Sequence, residues 1–169
     1  QGNCGFLHLT FQEYLAANHA NQTNLANPAN LAKVLAQRVR DSWWKEVALL
    51  SLRHSLSFNE VFFRELLAAG VAESDPDMTD RCLNESLYFA AQPFVEVLEA
   101  SDSPDARVAA VLRLLKDRHT HVPQLEALCL QKIESADDRI HQYAREILER
   151  MGKPVPAAAL QRSRRVSVE

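Results

Sequence analysis

The sequence predicts an all-α chain of stacked helical pairs, an α-solenoid, and three observations carry that prediction. Apolar residues recur at helical spacing from residue 31 onward, and no alternating strand pattern follows residue 9. Helix-start signals punctuate the chain: Ser, Thr or Asp caps, and prolines placed where a first turn tolerates them. A segment beginning at Pro104 returns further along, which is the mark of a repeated supersecondary unit.

Residues 6–9, Phe-Leu-His-Leu, form a short apolar run behind a Gly-Asn-Cys-Gly turn and could make an edge strand. Thr10-Phe11-Gln12-Glu13 is a capping box, in which the threonine oxygen accepts a first-turn N–H and Glu13 reaches back. Phe11, Tyr14 and Leu15 then fall at i, i+3 and i+4, the buried stripe of a helix. Its asparagines and Pro28 mark the polar stretch 18–30 as a loop.

A second helix is expected over residues 31–39. A third, capped by Asp41 or Ser42, should run through "WWKEVALLSLRHSL". Ser57-Phe58-Asn59-Glu60 reads as another capping box, opening a helix closed by Gly70. The acidic, proline-containing stretch 73–80 reads as an exposed loop. Pro93, Pro104 and Pro123 each stand where a new helix would begin.

The repeat pairs "PDARVAAVLRLL" with "DDRIHQYAREIL". Ala110 matches Ala144 and Leu114 matches Leu148, each 34 residues apart, with "VPQLEALCLQKI" as a second amphipathic helix between the copies. After the second copy, "KPVPAAALQR" begins the same way and stops short. A small alanine at the repeated position would let helices approach closely.

Composition bounds function. At 169 residues the length suits one ordinary domain or a short repeat array. The hydrophobic share, 47%, is enough for a real core, which argues against disorder. A formal net charge of −3 is too mild to indicate nucleic acid or a membrane surface. No apolar run approaches the roughly 20 residues of a membrane span. Cys4, Cys82 and Cys129 are odd in number and far apart, as expected of reduced, buried thiols in a cytoplasmic protein. Gln1 in place of an initiator methionine, with no signal peptide, leads us to expect a piece of a longer chain. No G-x-x-x-x-G-K-[ST] is present, so the chain has no phosphate-cradling loop of its own and is not expected to be an enzyme.

Several residue groups invite sharper readings and fit plainer ones better. His119 and His121 suggest a metal, but no third ligand lies nearby in sequence, so they read as a connecting loop and no metal site is expected. Trp43-Trp44 could be a stacking platform; one ring packed inward and one half exposed is the commoner arrangement. Three cysteines and six histidines show no spacing that supports Cys–His catalysis. The glycosylation patterns at Asn21 and Asn84 carry little weight in a cytoplasmic chain. Arg164-Arg165-Val166-Ser167 resembles a basophilic kinase site and fits a solvated basic tail better.

One resemblance is dense. Phe6-Leu7-His8-Leu9-Thr10-Phe11-Gln12-Glu13-Tyr14-Leu15-Ala16-Ala17 resembles the motif closing the winged-helix region of NACHT-type signalling ATPases. These belong to the STAND class, with the NOD-like receptors and their bacterial relatives. "WWKEVALLSL" and "FFRELLAAG" are similar to the helices that follow that motif, and the two repeat copies look like HEAT repeats, with an Asp and an Arg flanking the first helix. In the 34-residue register the second copy departs, placing His141 where the first has Arg107.

The resemblance implies this organisation: the end of a winged-helix module over 1–20, irregular helical pairs over 21–100, HEAT-like repeats over 101–160 and a basic, disordered tail over 161–169. It implies a regulatory and sensing role beside an upstream ATPase domain that binds ADP or ATP with Mg²⁺ and oligomerises in its open form. His8 would approach the ADP β-phosphate and help hold the closed state, since an imidazole N–H can donate to phosphate oxygen. The repeat face would take a protein or other ligand; a membrane is not expected and nucleic acid is not indicated. The alternative is a free-standing helical-repeat scaffold with no nucleotide link, in which residues 1–17 are only a cap.

Overall fold

The computed structural model describes residues 28–53, 55–100, 105–118 and 122–157, and among these every regular element is a helix. The winged-helix motif at 6–17 and the expected tail at 161–169 lie outside the described residues. The chain divides into two compact units, Gln1–Pro93 and Phe94–Glu169.

In the first unit α1 spans Pro28–Arg38, α2 Ser42–Ser51, α3 Leu56–Ala68, α4 Val71–Ser74 and α5 Pro76–Glu85. α1 packs on α3 and α2, and α5 packs on α2 and α4. Phe58, Phe62, Phe63, Leu66 and Leu67 put a continuous apolar stripe on α3, and all five are buried. The Phe58 and Phe62 rings stack with centroids 6.1 Å apart, and Phe63 meets Phe62 edge-on at 5.6 Å. Such pairs add about 0.5–1.5 kcal/mol beyond the area they bury.

Three boundaries differ from the sequence expectation, each for a local reason. α1 begins at Pro28, because proline pre-sets a helical φ and needs no donor in a first turn. The helix expected to run on through "RHSL" stops at Ser51, and α3 restarts with Ser55 as cap: its Oγ accepts the Phe58 N–H at 3.2 Å. Ser57 therefore lies inside the helix, and Asn59 is fully buried in the fold. The Asn59 amide donates to Ser86 Oγ and to the Tyr88 carbonyl, both at 2.7 Å, which pins the segment that follows α5.

The stretch 73–80, expected as an exposed loop, is largely helical. Asp75 accepts the Met78 N–H at 3.0 Å, and Pro76 takes the first helical position. Met78, Thr79, Cys82 and Leu83 then bury one face of α5 beneath the acidic side chains. Gly70 closes α3 as expected: at φ +67° it occupies the left-handed region that favours glycine, and its N–H reaches the Leu67 carbonyl at 3.1 Å.

α6, Gln92–Glu99, spans the division between the units. The second unit then holds α7 (Ala106–Lys116), α8 (Leu125–Lys132) and α9 (Asp138–Arg150), with α9 packed on both α7 and α8. α7 and α9 are the two copies of the repeat, and their caps set its register. Asp105 Oδ1 accepts the Arg107 N–H at 2.8 Å while its other oxygen pairs with the Arg107 guanidinium at 3.1 Å. Asp137 does the same for Arg139, at 2.9 Å for each contact.

The copies thus stand 32 residues apart, not 34, and both carry the Asp-x-Arg start. The expected departure at His141 was a consequence of the wrong register: His141 matches buried Ala109, and buried Ala144 matches buried Leu112. Ala110 is only half-buried.

Candidate functional site

His8, His119 and His121 lie outside the described residues. Among the described residues no cluster of three or more His, Cys, Asp or Glu side chains could hold a metal. No helix there is long and apolar enough to cross a membrane. Cys82 and Cys129 are fully buried, and burial pushes both thiols up to about 12, so neither offers a thiolate nucleophile at neutral pH. Trp43 is 46% exposed, while Trp44 is half-buried with the Arg38 guanidinium 5.6 Å from its ring centre. The chain's own arginine thus occupies one of the two rings that might have formed a stacking platform.

A concave feature lies in the second unit, where three ends of helices converge. Lys116 pairs with Glu146 at 3.3 Å, and Arg150 reaches across to the Lys116 carbonyl and to Asp117, the carboxylate at 2.7 Å. The carboxyl ends of α7 and α9 are therefore adjacent, and α9 also packs on α8. Cationic side chains suit this position, since the last carbonyls of a helix carry partial negative charge.

Past α9 the chain turns back through Gly152 at φ +67°. The Gly152 N–H reaches the Glu149 carbonyl at 3.0 Å and the Lys153 N–H reaches Leu148 at 2.9 Å, the paired bonds of a Schellman turn. That reversal carries the Lys153 ammonium to within 2.7 Å of Glu126 on the first turn of α8.

The space enclosed is a groove of about 810 Å³. Leu115, Val122, Leu125, Ile147 and Met151 give it an apolar floor; Lys116, Arg118, Arg150 and Lys153 supply its cationic rim, and Asp117 and Glu126 the anionic part. Its size falls in the range of sites that take a small ligand or a few side chains of a peptide. The Arg150 hydrogen bond holds the Asp117 carboxyl below the usual carboxylate range. Burial pushes the Glu146 carboxyl up, but hydrogen bonds from Gln142 and Lys116 outweigh it and leave it lowered. Asp117 and Glu146 are thus ionised at neutral pH and braced by Arg150 and Lys116.

His141 has a structural place instead. It is 6% exposed, and its Nδ1 lies 2.7 Å from the Ile133 carbonyl, a contact that requires the proton on Nδ1. It ties the start of α9 to the end of α8.

Comparison of the chain with protein-family models, curated proteins and solved structures finds no match. None of the groove residues stood out in the sequence. The two signals that could have found them were the Asp-x-Arg register and the glycine after α9.

Proposed function

We propose that this chain is the regulatory and sensing region of a NACHT-type STAND ATPase, with helical pairs that recognise a protein partner. The observation that carries the reading is the run Phe6 to Ala17, which resembles the family motif over twelve consecutive positions and stands directly before a helical chain. The repeated Asp-x-Arg caps, and the packing of α9 on both α7 and α8, support HEAT-like pairs for residues 105–157. In this reading the work is cytoplasmic and nucleotide chemistry belongs to an upstream domain. There His8 would donate a hydrogen bond to ADP and hold the closed form.

The experiment is to read the coding sequence upstream of Gln1 and then to measure ADP release from the full-length protein. A P-loop upstream, with faster ADP release or raised basal activity on His8→Ala, is the expected result. An unchanged nucleotide off-rate and unchanged basal activity would sink the role of His8. An initiator codon directly before Gln1 would favour the second reading, a free-standing scaffold, which draws on the same repeat geometry and does not need residues 6–17.

A further inference from the structure

We propose that the groove at the carboxyl ends of α7 and α9 binds an acidic peptide segment of a partner protein, with apolar side chains on its floor and a carboxylate on Arg150. This rests on the recognition role given to the helical pairs and is independent of the nucleotide link.

Three observations select that occupant. The floor offers apolar surface inside a concave space of about 810 Å³, and Met151 there is 38% exposed. Burying such a side chain against a partner takes apolar surface out of water, which favours binding. With Glu146 beside Lys116 counted, the rim carries four cations against three anions, and that single positive excess favours an acidic ligand.

The third observation concerns Arg150. Both its hydrogen bonds, to the Lys116 carbonyl and to Asp117, leave from Nη1. Those bonds fix the guanidinium plane while Nε and Nη2 keep donors for a second carboxylate, in the side-by-side geometry that an arginine fork offers. The side chain is 51% exposed, so a ligand reaches it without rearrangement of the helices. Ordering that a flexible lysine would lose on binding is already spent here.

The test uses the full 169-residue chain. A random-peptide display library is selected on it, and enriched peptides are resynthesised and titrated against the chain by fluorescence anisotropy. The expected enrichment is for peptides that combine Asp or Glu with Leu, Ile, Phe or Met. Their affinity should fall about tenfold or more on Met151→Glu and on Lys153→Glu, and several-fold on Arg150→Lys, which keeps the charge and removes the fork. Circular dichroism melts of the three variants confirm that each is folded at the assay temperature. No enrichment, enrichment of basic or uncharged peptides, or acidic peptides that bind all three variants like the parent overturns the proposal. So does a single-stranded dT20 probe that binds the groove more tightly than the peptides, since that makes it a polyanion site. Loss of peptide binding leaves ADP release untouched, and an inert His8 leaves peptide binding untouched, so the two readings fail separately.

Discussion

Asp137 serves four N–H donors with one carboxylate, and the Arg139 Nε donates to Oδ1 at 3.3 Å. Oδ1 accepts the backbone N–H of Arg139 and of Ile140, and Oδ2 pairs with the Arg139 guanidinium. Its side chain is 14% exposed while that of Arg139 is 64% exposed, so the cap contributes more than the ion pair. The arginine nonetheless holds the Asp137 carboxyl below the usual carboxylate range, and Arg107 and Arg150 do the same for Asp105 and Asp117. A carboxyl lowered by folding stabilises the chain above its unfolded value, about 3.9, and that stability is lost as pH falls through the folded value. Asp137→Ala should therefore cost about 1–2 kcal/mol at pH 7, from urea midpoints. Asp137→Asn keeps a capping acceptor and should cost less, while removing the part of the parent's stability that disappears in acid. Equal costs for the two variants at pH 7 would show that the ionised carboxylate, and not the capping acceptor, dominates.

At the scale of the helix, what was legible depended on whether the deciding partner lay nearby in sequence. The stripe of α3 and the closing role of Gly70 follow from periodicity and local chemistry, and the structure has both. The choice between Ser55 and Ser57 as the α3 cap does not. It turns on burying Phe58 and on giving the Asn59 amide its partners at Ser86 and Tyr88, 27 and 29 residues away. Small and apolar residues align acceptably at several repeat offsets, whereas the caps admit only one. In the acidic stretch the composition suggests a loop, while Asp75-Pro76, a cap followed by a first-turn proline, starts a helix. The groove was illegible for another reason: Arg150 and Asp117 are 33 residues apart, and the turn at Gly152 is what brings Lys153 to Glu126. That turn is testable. A Cβ at Gly152 would meet nothing within 4 Å, so Gly152→Ala is opposed by backbone conformation alone. It should cost about 1–2 kcal/mol in urea denaturation. Because the turn also places Lys153, peptides bound by the groove should weaken in the same variant. A neutral effect on both would mean the chain leaves α9 equally well by another route.

For the whole molecule, the division into two compact units makes a statement about cooperativity. The first unit is held by the phenylalanine cluster of α3 packed against α1, with Phe62 fully buried between Phe58 and Phe63. The second has its own core, in which Val108, Leu112 and Leu115 of α7 and Ile140, Ala144 and Ile147 of α9 are buried. Its end-to-end ties, Lys116 to Glu146 and Arg150 to Asp117, close within the unit as well. Each unit thus carries a buried apolar core of its own, which independent opening requires. Phe62→Ala removes a ring from a filled site and should destabilise by about 3–5 kcal/mol, with part of the cost coming from the cavity left behind. Native-state hydrogen exchange locates that cost. Amides of α1 and α3 should lose protection by a large factor, while those of α7 and α9 keep theirs, because none of the ties named above passes through Phe62. Loss of protection in α7 and α9 by the same factor would mean that the chain unfolds as one cooperative body. In that case the groove would sense changes in the first unit through stability alone, and a sensor built from it would need no separate hinge.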